Sequence, residues 1–296
     1  MGVLFVVLSS ILFGIYPSIQ NRVLTDGVSP SAQVFLCSVF SCMFSLLLCM
    51  IRKQSLKITR RQLFDLFLIG GIGLFATDYF LALAYTMLAV GYVTMIHFIY
   101  PSLVCIAMVL FFHEHMRAGK VYAILLSLAG LFLLSFGSFS GSMSGIVIAV
   151  LSAVFYTCCM VSTERSSAAD VSPLSRAFYI NLFMIPSNLI LVLCCRNLQH
   201  RAVIFPHTSL DWALCILVGA FVCAAVLFLN LGIQEVGAVP SSFISMIEPV
   251  TSLFLSALLY HYSISAAALG GCVLILASLV FAALDARAEN EKVTRI

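Results

Sequence analysis

The sequence predicts an all-α integral membrane protein: ten transmembrane helices forming two inverted five-helix repeats, with both termini in the cytoplasm. Three observations predict it. Of 296 residues 62% are hydrophobic and only 9% charged, against about 45–50% and about 25% in soluble domains. The apolar residues lie in continuous runs of the length a bilayer demands. Two stretches of the first half recur, in order, in the second.

A bilayer core takes roughly 20 apolar residues as helix, with a range of about 17–25. Runs of that size lie at 2–19, 31–51, 63–85, 91–112, 119–136, 144–161, 175–195, 211–232, 239–260 and 264–284. The first run lacks a basic n-region and an A-x-A site, so it reads as a span and not a cleaved signal. Continuous apolarity, in place of alternation, excludes membrane strands. Turn chemistry marks several connections, among them "TDGVSP" (25–30) and "SFGSFSGSMSG" (135–145). Ten spans leave no room for a folded soluble domain. The eleven cysteines carry no C-x2-C spacing and nearly all sit in apolar runs. They read as small packing residues, and no metal is expected.

The basic residues orient the chain. With the N-terminus inside, twelve of the fifteen Lys and Arg fall on cytoplasmic segments and three (Arg22, Arg196, Arg201) outside. Such a bias in short loops predicts N-in and C-in. The only tryptophan, Trp212, opens the eighth span at an interface, where its ring is at home.

The internal repeat is read directly. "LSSILFGIYPSIQNRVLTDGVSPSAQVF" (8–35) lies over "LSAVFYTCCMVSTERSSAADVSPLSRAF" (151–178) without a gap at an offset of 143. "YFLALAYTMLAVGYVTMIHFIYPSL" (79–103) lies over "LFLNLGIQEVGAVPSSFISMIEPVT" (227–251) at an offset of 148, with Pro101 on Pro249. The expected units are residues 1–143 and 144–285, followed by a cytoplasmic tail, 286–296. Five spans per half invert the second repeat, and inverted repeats around a central site suit alternating access.

"LFGIYPS" in the first span, "IYPSLVCIAMVLFFHEHMRAGKVYAILLSLAGLFLL" (99–134) and "IEPVTSLFLSALLYHYSISAAALGGCVLILASLVF" (247–281) resemble the EamA-type permeases of the drug/metabolite transporter superfamily. The resemblance covers nearly the whole chain. It implies a secondary transporter in the cell membrane, usually an exporter of amino acids or similar small metabolites, with a central cavity between the halves. Glu114 occupies the family's glutamate after the fourth helix, whereas Tyr262 stands at the equivalent place of the second half.

Polar groups at membrane depth are the candidate site. On the ninth span Ser241, Ser245, Glu248, Ser252 and Ser256 step by three or four, one helix face. Serines there serve packing as readily as lining, but an ionisable group at that depth faces water or a partner. Dry surroundings favour a neutral carboxyl and an arriving cation favours the carboxylate, so Glu248 could exchange a proton for a substrate. Pro249 frees a carbonyl one turn back and predicts a hinge, as does Pro101. The 148 offset sets Tyr100 opposite Glu248 and His97 opposite Ser245. Asp78 is the other deep carboxylate; it could line the cavity, cap a kink or pair with His97. Asn181 and Asn188 share a face of the seventh span, and Tyr16, Tyr79, Tyr156 and Tyr179 could supply aromatic walls. No deep Lys or Arg is expected, which favours zwitterionic or cationic amphipathic solutes over phosphorylated sugars and nucleotide sugars.

The implied partners are a small-molecule substrate, the lipid bilayer and, for coupling, protons; no cofactor and no nucleic acid are expected. The rival readings are a lipid or drug translocator and a membrane-embedded enzyme. "FFHEHMRAGK" holds His113, Glu114 and His115, but H-E-x-x-H sets its histidines one helical turn apart, and these two point about 200° apart if helical.

Overall fold

Helix α1 (Gly2–Thr25) opens the chain, followed by α2 (Pro30–Ile51) and α3 (Arg60–Tyr85). Helix α4 comes in two pieces, Val90–His97 and Tyr100–Phe112, and α5 is Ala118–Leu134. Then come α6 (Met143–Arg165), α7 (Pro173–Asn197) and α8 (Ser209–Val236). Helix α9 is again in two pieces, Ala238–Ile244 and Ile247–Tyr260, and α10 (Ala266–Val293) ends the fold. This computed structural model describes residues 1–85, 87–88, 90–134, 143–197, 203–260 and 264–293. Side chains are described except at 21, 90–91, 195–197, 256, 260, 283 and 285–293. The described residues contain no β-strand.

Eight of these helices are long and apolar enough to cross a membrane. The other two apolar helices, α5 and the Ala266–Ala282 stretch of α10, are shorter. At 17 residues α5 is about 26 Å long, close to the roughly 30 Å of a hydrocarbon core. The chain is a multi-pass membrane protein. Its outer apolar side chains, such as Phe111, Leu258 and Val273, are exposed, as a lipid-facing surface requires.

Local chemistry accounts for the ends. Pro30 opens α2, where a missing N–H costs nothing. Capping boxes open α3 (Thr59 with Gln62) and α8 (Thr208 with Asp211). Gly237, at φ 85, turns the chain from α8 directly into α9. Two features were not expected from the sequence. Helix α10 continues helically through residues read as a tail, and α3 carries a π-helical stretch at Leu68–Leu74. The π stretch packs on α6 and α7 through glycines: a Cβ on Gly70 would stand 2.5 Å from the Ile180 carbonyl oxygen.

The packing repeats between halves. Helix α1 lies against α8 as α6 lies against α3, and α1 lies against α9 as α6 lies against α4. Helices α2 and α7 pack on each other, as do α5 and α10. These principal pairings are preserved when each helix is exchanged for its counterpart five places on, whereas the packing of α7 on α8 has no equal between α2 and α3. The largest buried apolar cluster sits on α4 and α9 and includes Val104, Met108, Phe243 and Met246.

Helices α5 and α10 cross backbone to backbone. A Cβ on Gly130 would stand 2.8 Å from the Gly271 carbonyl oxygen, and one on Gly271 2.6 Å from that of Gly130. Small residues give this close approach in membranes. Gly130→Ala should destabilise the protein by about 1–3 kcal/mol, since the obstruction is backbone and cannot turn aside. Gly270→Ala should be silent, because its nearest neighbour is Leu133 Cδ1 at 3.8 Å. Thermal unfolding in detergent compares the two.

Candidate functional site

The site begins with two broken helices. A proline removes one helical N–H, and its ring collides with the carbonyl four residues back. For Pro101 that carbonyl belongs to His97, and for Pro249 to Ser245. The first piece of α4 ends at His97 and that of α9 at Ile244, with Ser245 as its cap. The expected hinges are thus full interruptions, at Phe98–Ile99 and Ser245–Met246. Tighter turns bridge them: Ser102 N–H donates to Ile99 O at 3.0 Å and Glu248 N–H to Ser245 O at 3.0 Å. At the 148 offset the breaks agree to within one residue.

The flanking helices repeat this correspondence. On α6, Thr157 Oγ1 donates to Ala153 O at 2.8 Å and approaches Tyr100 O at 3.5 Å. Its counterpart on α1, 143 residues earlier, is Gly14, where a Cβ would stand 2.8 Å from Glu248 O. Each break is therefore covered by the first helix of a half, at matching positions.

Three rings gather at the α4 break. Tyr100, 1% exposed, meets the Tyr156 ring edge-on at 4.6 Å, and His97 lies 5.6 Å from both. His97 Nδ1 is 3.0 Å from Ser152 Oγ, and Ser152 donates its single proton to Ala149 O at 2.7 Å. The imidazole must then donate through Nδ1–H, leaving Nε2 with a lone pair. Nε2 has no hydrogen-bond partner among the described residues. Ser245, at the matching position of α9, donates its hydroxyl to Ser241 O at 2.9 Å.

Both deep carboxylates face this region. Glu248, in the first turn of the second piece of α9, acts electrostatically on Tyr16, Tyr85, Tyr100 and Tyr156. Asp78, two turns before the end of α3, acts on Tyr16, Tyr85 and Tyr156, and also on Cys37 and Cys159. Three tyrosines, Tyr16, Tyr85 and Tyr156, thus lie within electrostatic range of both acids. Glu248 is half-buried and Asp78 accessible to water, and neither has an ion pair or a side-chain hydrogen bond among the described residues. Asp78 does not pair with His97, whose described partner is Ser152.

The structure brings together Glu248, Asp78, His97, Tyr100 and Ser245. It does not bring in Tyr79, whose ring stacks on Phe75 at 6.2 Å and meets Phe80 edge-on. Asn181 and Asn188 are each 1% exposed on α7, with no amide partner among the described residues. Tyr179 serves the fold, donating to Leu56 O at 2.7 Å. The side chain of Ser256, and Tyr262 altogether, lie outside the described residues. Sequence reasoning missed Tyr85 and Ser152. Tyr85 lies seven residues beyond Asp78, on the same face, and Ser152 is the repeat partner of Ser9; both signals were present.

Beyond the site, the face carrying the N-terminus is tied shut. His113 caps α4 in the left-handed region, φ 57, so the His113–His115 segment is not helical. Glu114 accepts from Lys120 at 3.1 Å and from Arg165 at 2.5 Å. Arg165 also pairs with Glu164 at 3.1 Å and covers the Phe112 ring, while Glu164 accepts the Ala238 N–H at the start of α9. Asp65 takes Ser167 N–H and hydroxyl, and Ser175 donates to Ser55 O at 2.9 Å. Across the opposite face, the bonds between halves include those joining Ser29 to Ile204. Among the described residues no group of three or more His, Cys, Asp or Glu could hold a metal ion.

Comparison with known proteins follows this geometry. Chains of solved structures match, among them a crystal structure that superposes with a TM-score of 0.79 over 96% of this chain and 98% of its own. At 19% identity that likeness concerns the fold. A search of the curated proteins finds no significant match. The model of the EamA-like transporter family matches twice, over residues 1–136 and 143–284. With nearly its whole length matched in two successive copies, the chain belongs to the EamA-like transporter family.

Proposed function

We propose that the protein is a secondary active transporter of the cell membrane, exporting small amphipathic metabolites such as amino acids or related compounds by alternating access. The observation that carries this reading is the pair of repeat-related helix breaks, which set Tyr100 and Glu248 at mid-depth with an unpaired carboxylate between the halves. Interrupted helices at the repeat interface are where secondary transporters hold their solutes. The architecture proposed for it is ten spans in two inverted repeats, 1–143 and 144–285, with residues 286–296 following. The N-terminal face, with its ionic ties, is then the cytoplasmic one, and the site opens outward past Asp78 and Tyr85. Protons are the proposed coupling ion, exchanged at Glu248 as solute enters and leaves.

Orientation is tested first. In a cysteine-free background, a single cysteine at Ser55 should label only from the cytoplasm and one at His207 only from outside. Both positions are exposed, in the loops before α3 and α8. Labelling of the two from one side overturns the topology.

Transport is tested with the protein in liposomes against pooled amino acids and amphipathic amines. Glu248→Gln keeps the shape and removes the charge; it should reach the membrane and slow flux about tenfold or more, the scale of one lost charged hydrogen bond. What flux remains should no longer depend on pH. Tyr100→Phe, which removes one hydroxyl and no charge, should be milder. Normal transport by Glu248→Gln at every pH would reduce the carboxylate to a structural role.

The rocking step has its own check. Cysteines replacing Glu114 and Arg165, one in each half, should crosslink across the N-terminal face and stop flux reversibly, with the unfolding temperature unchanged. Full-rate flux in the locked protein would exclude alternating access.

A further inference from the structure

We propose that the connection between α2 and α3 is a docking surface for anionic phospholipid, whose phosphates are met by Arg52, Lys53, Lys57, Arg60 and Arg61. These cations stand within one short stretch of chain, and all are exposed. None has an ion pair or a side-chain hydrogen bond among the described residues. Elsewhere on this face Lys120 and Arg165 are spent on Glu114, and Arg176 on three backbone carbonyls. Two carboxylates lie close to the connection. Asp65 accepts from Ser167 N–H at 3.0 Å and from its hydroxyl, and Asp170 shares a recess of about 250 Å³ with Gln54, Lys57 and Gln62. Even with both acids counted against the cations, the patch stays strongly positive.

Its flanks place that charge at headgroup level. Met50 and Ile51 end α2 directly before Arg52, and Leu63 and Phe64 follow Arg61 in α3, all four exposed. Apolar side chains exposed on both sides belong among the acyl chains, so the charged residues between them sit at the boundary and not in bulk water. The backbone of the connection is also held. Gln54 N–H donates to Cys49 O at 2.8 Å and Lys53 turns in the left-handed region at φ 50, which closes α2. Ser175 and Tyr179 of α7 donate to Ser55 O at 2.9 Å and Leu56 O at 2.7 Å, and Thr59 with Gln62 caps α3. A backbone fixed at these points presents its cations in one arrangement, which lowers the ordering cost of meeting phosphates. Arg60 and Arg61 open α3 at the positive end of its dipole with no acid in that turn, a repulsion that an outside anion relieves. Basic clusters beside a spanning helix attract anionic lipid, at about fivefold in affinity for each Lys or Arg. The inference holds whatever solute the protein moves.

Thermal unfolding of the full-length protein in an uncharged detergent tests this, with dioleoyl phosphatidylglycerol, dioleoyl phosphatidylcholine and inorganic phosphate as the additions. A ligand of the folded state raises the unfolding temperature by mass action. Phosphatidylglycerol should reach half its effect at least about tenfold below phosphatidylcholine. Inorganic phosphate, with no acyl chain to hold it beside the protein, should have no effect at millimolar concentration. Lys57→Gln should narrow the lipid preference about fivefold, and glutamine at all of the named cations should abolish it. Arg22→Gln, on the opposite face, should leave it unchanged. Equal effects of the two lipids, a preference undiminished in the combined variant, or an equal effect of inorganic phosphate each overturns the proposal. Should the combined variant fail to insert, salt decides on the unaltered protein. Raising sodium chloride from about 0.05 to about 0.5 M should erase most of the preference by screening, and a preference that survives undiminished overturns the proposal.

Discussion

Within a bilayer every backbone N–H and C=O must find its partner inside the protein, because the surroundings offer none. A proline at mid-span breaks that rule twice, by withholding an N–H and by displacing the carbonyl four residues back. Pro101 and Pro249 do this at repeat-related positions, and much of the molecule answers to it. Helices α4 and α9 are interrupted where those displaced carbonyls lie, and they sit innermost, within the largest buried cluster. Helices α1 and α6 cover the interruptions from matching positions, Gly14 by having no side chain and Thr157 by a hydroxyl directed at the backbone. Interrupted backbone is tolerated at membrane depth where protein or a water-filled cavity surrounds it, and a polar site is the natural tenant of such a place.

The two breaks share a backbone plan and differ in side chains. The first break gathers His97, Tyr100 and, from α6, Thr157; at the matching places the second break gathers Ser245, Glu248 and, from α1, Gly14. A symmetric frame therefore holds an asymmetric set of groups. The rings at the first break pack on one another, and His97 is held by Ser152. This arrangement fixes ring orientation without neutralising either carboxylate. A salt bridge at mid-depth would have stabilised the charges and left nothing for a solute to satisfy.

The apolar helices, the repeat and the helix breaks before Pro101 and Pro249 were legible from the sequence, because each rests on a local rule: run length, self-similarity, or a proline in an apolar stretch. What was not legible depends on which helices meet. The π stretch of α3 follows from Gly70 and Gly73 lying against α7 and α6, a tertiary demand with no local signature. Tyr79 and Asp78 are adjacent in sequence, yet only Asp78 turns toward the acids' shared tyrosines, a difference of 100° that helix rotation alone decides. Two of the cations on the N-terminal face proved structural. Arg176 is 1% exposed and donates to the carbonyls of Thr163, Ala169 and Val171, closing the C-terminal end of α6. Lys120 is buried against Glu114. Charge counting sees both as loop charges, although each is a bond between segments.

The closed face is built from weak parts, and alternating access gives that a reason. Lys120–Glu114 joins the end of α4 to the start of α5 within one half, so it need not open. The ion pairs between halves among the described residues are Arg165–Glu114 and the Met1 ammonium with Glu235, all partners partly exposed or exposed. Such a pair is worth on the order of 0–1 kcal/mol, and less in salt. Packed apolar area of the same extent would hold more firmly and respond to nothing. A solute with even millimolar affinity contributes about 4 kcal/mol of binding free energy, and a ligand shifts an equilibrium by as much as it prefers one state over the other. A closure worth less than that difference is one that an arriving solute can reverse. Among the described residues the cross-half ion pairs on this face, Arg165–Glu114 and the Met1 ammonium with Glu235, are both partly exposed, which would leave control of the proposed gate with the site at mid-depth.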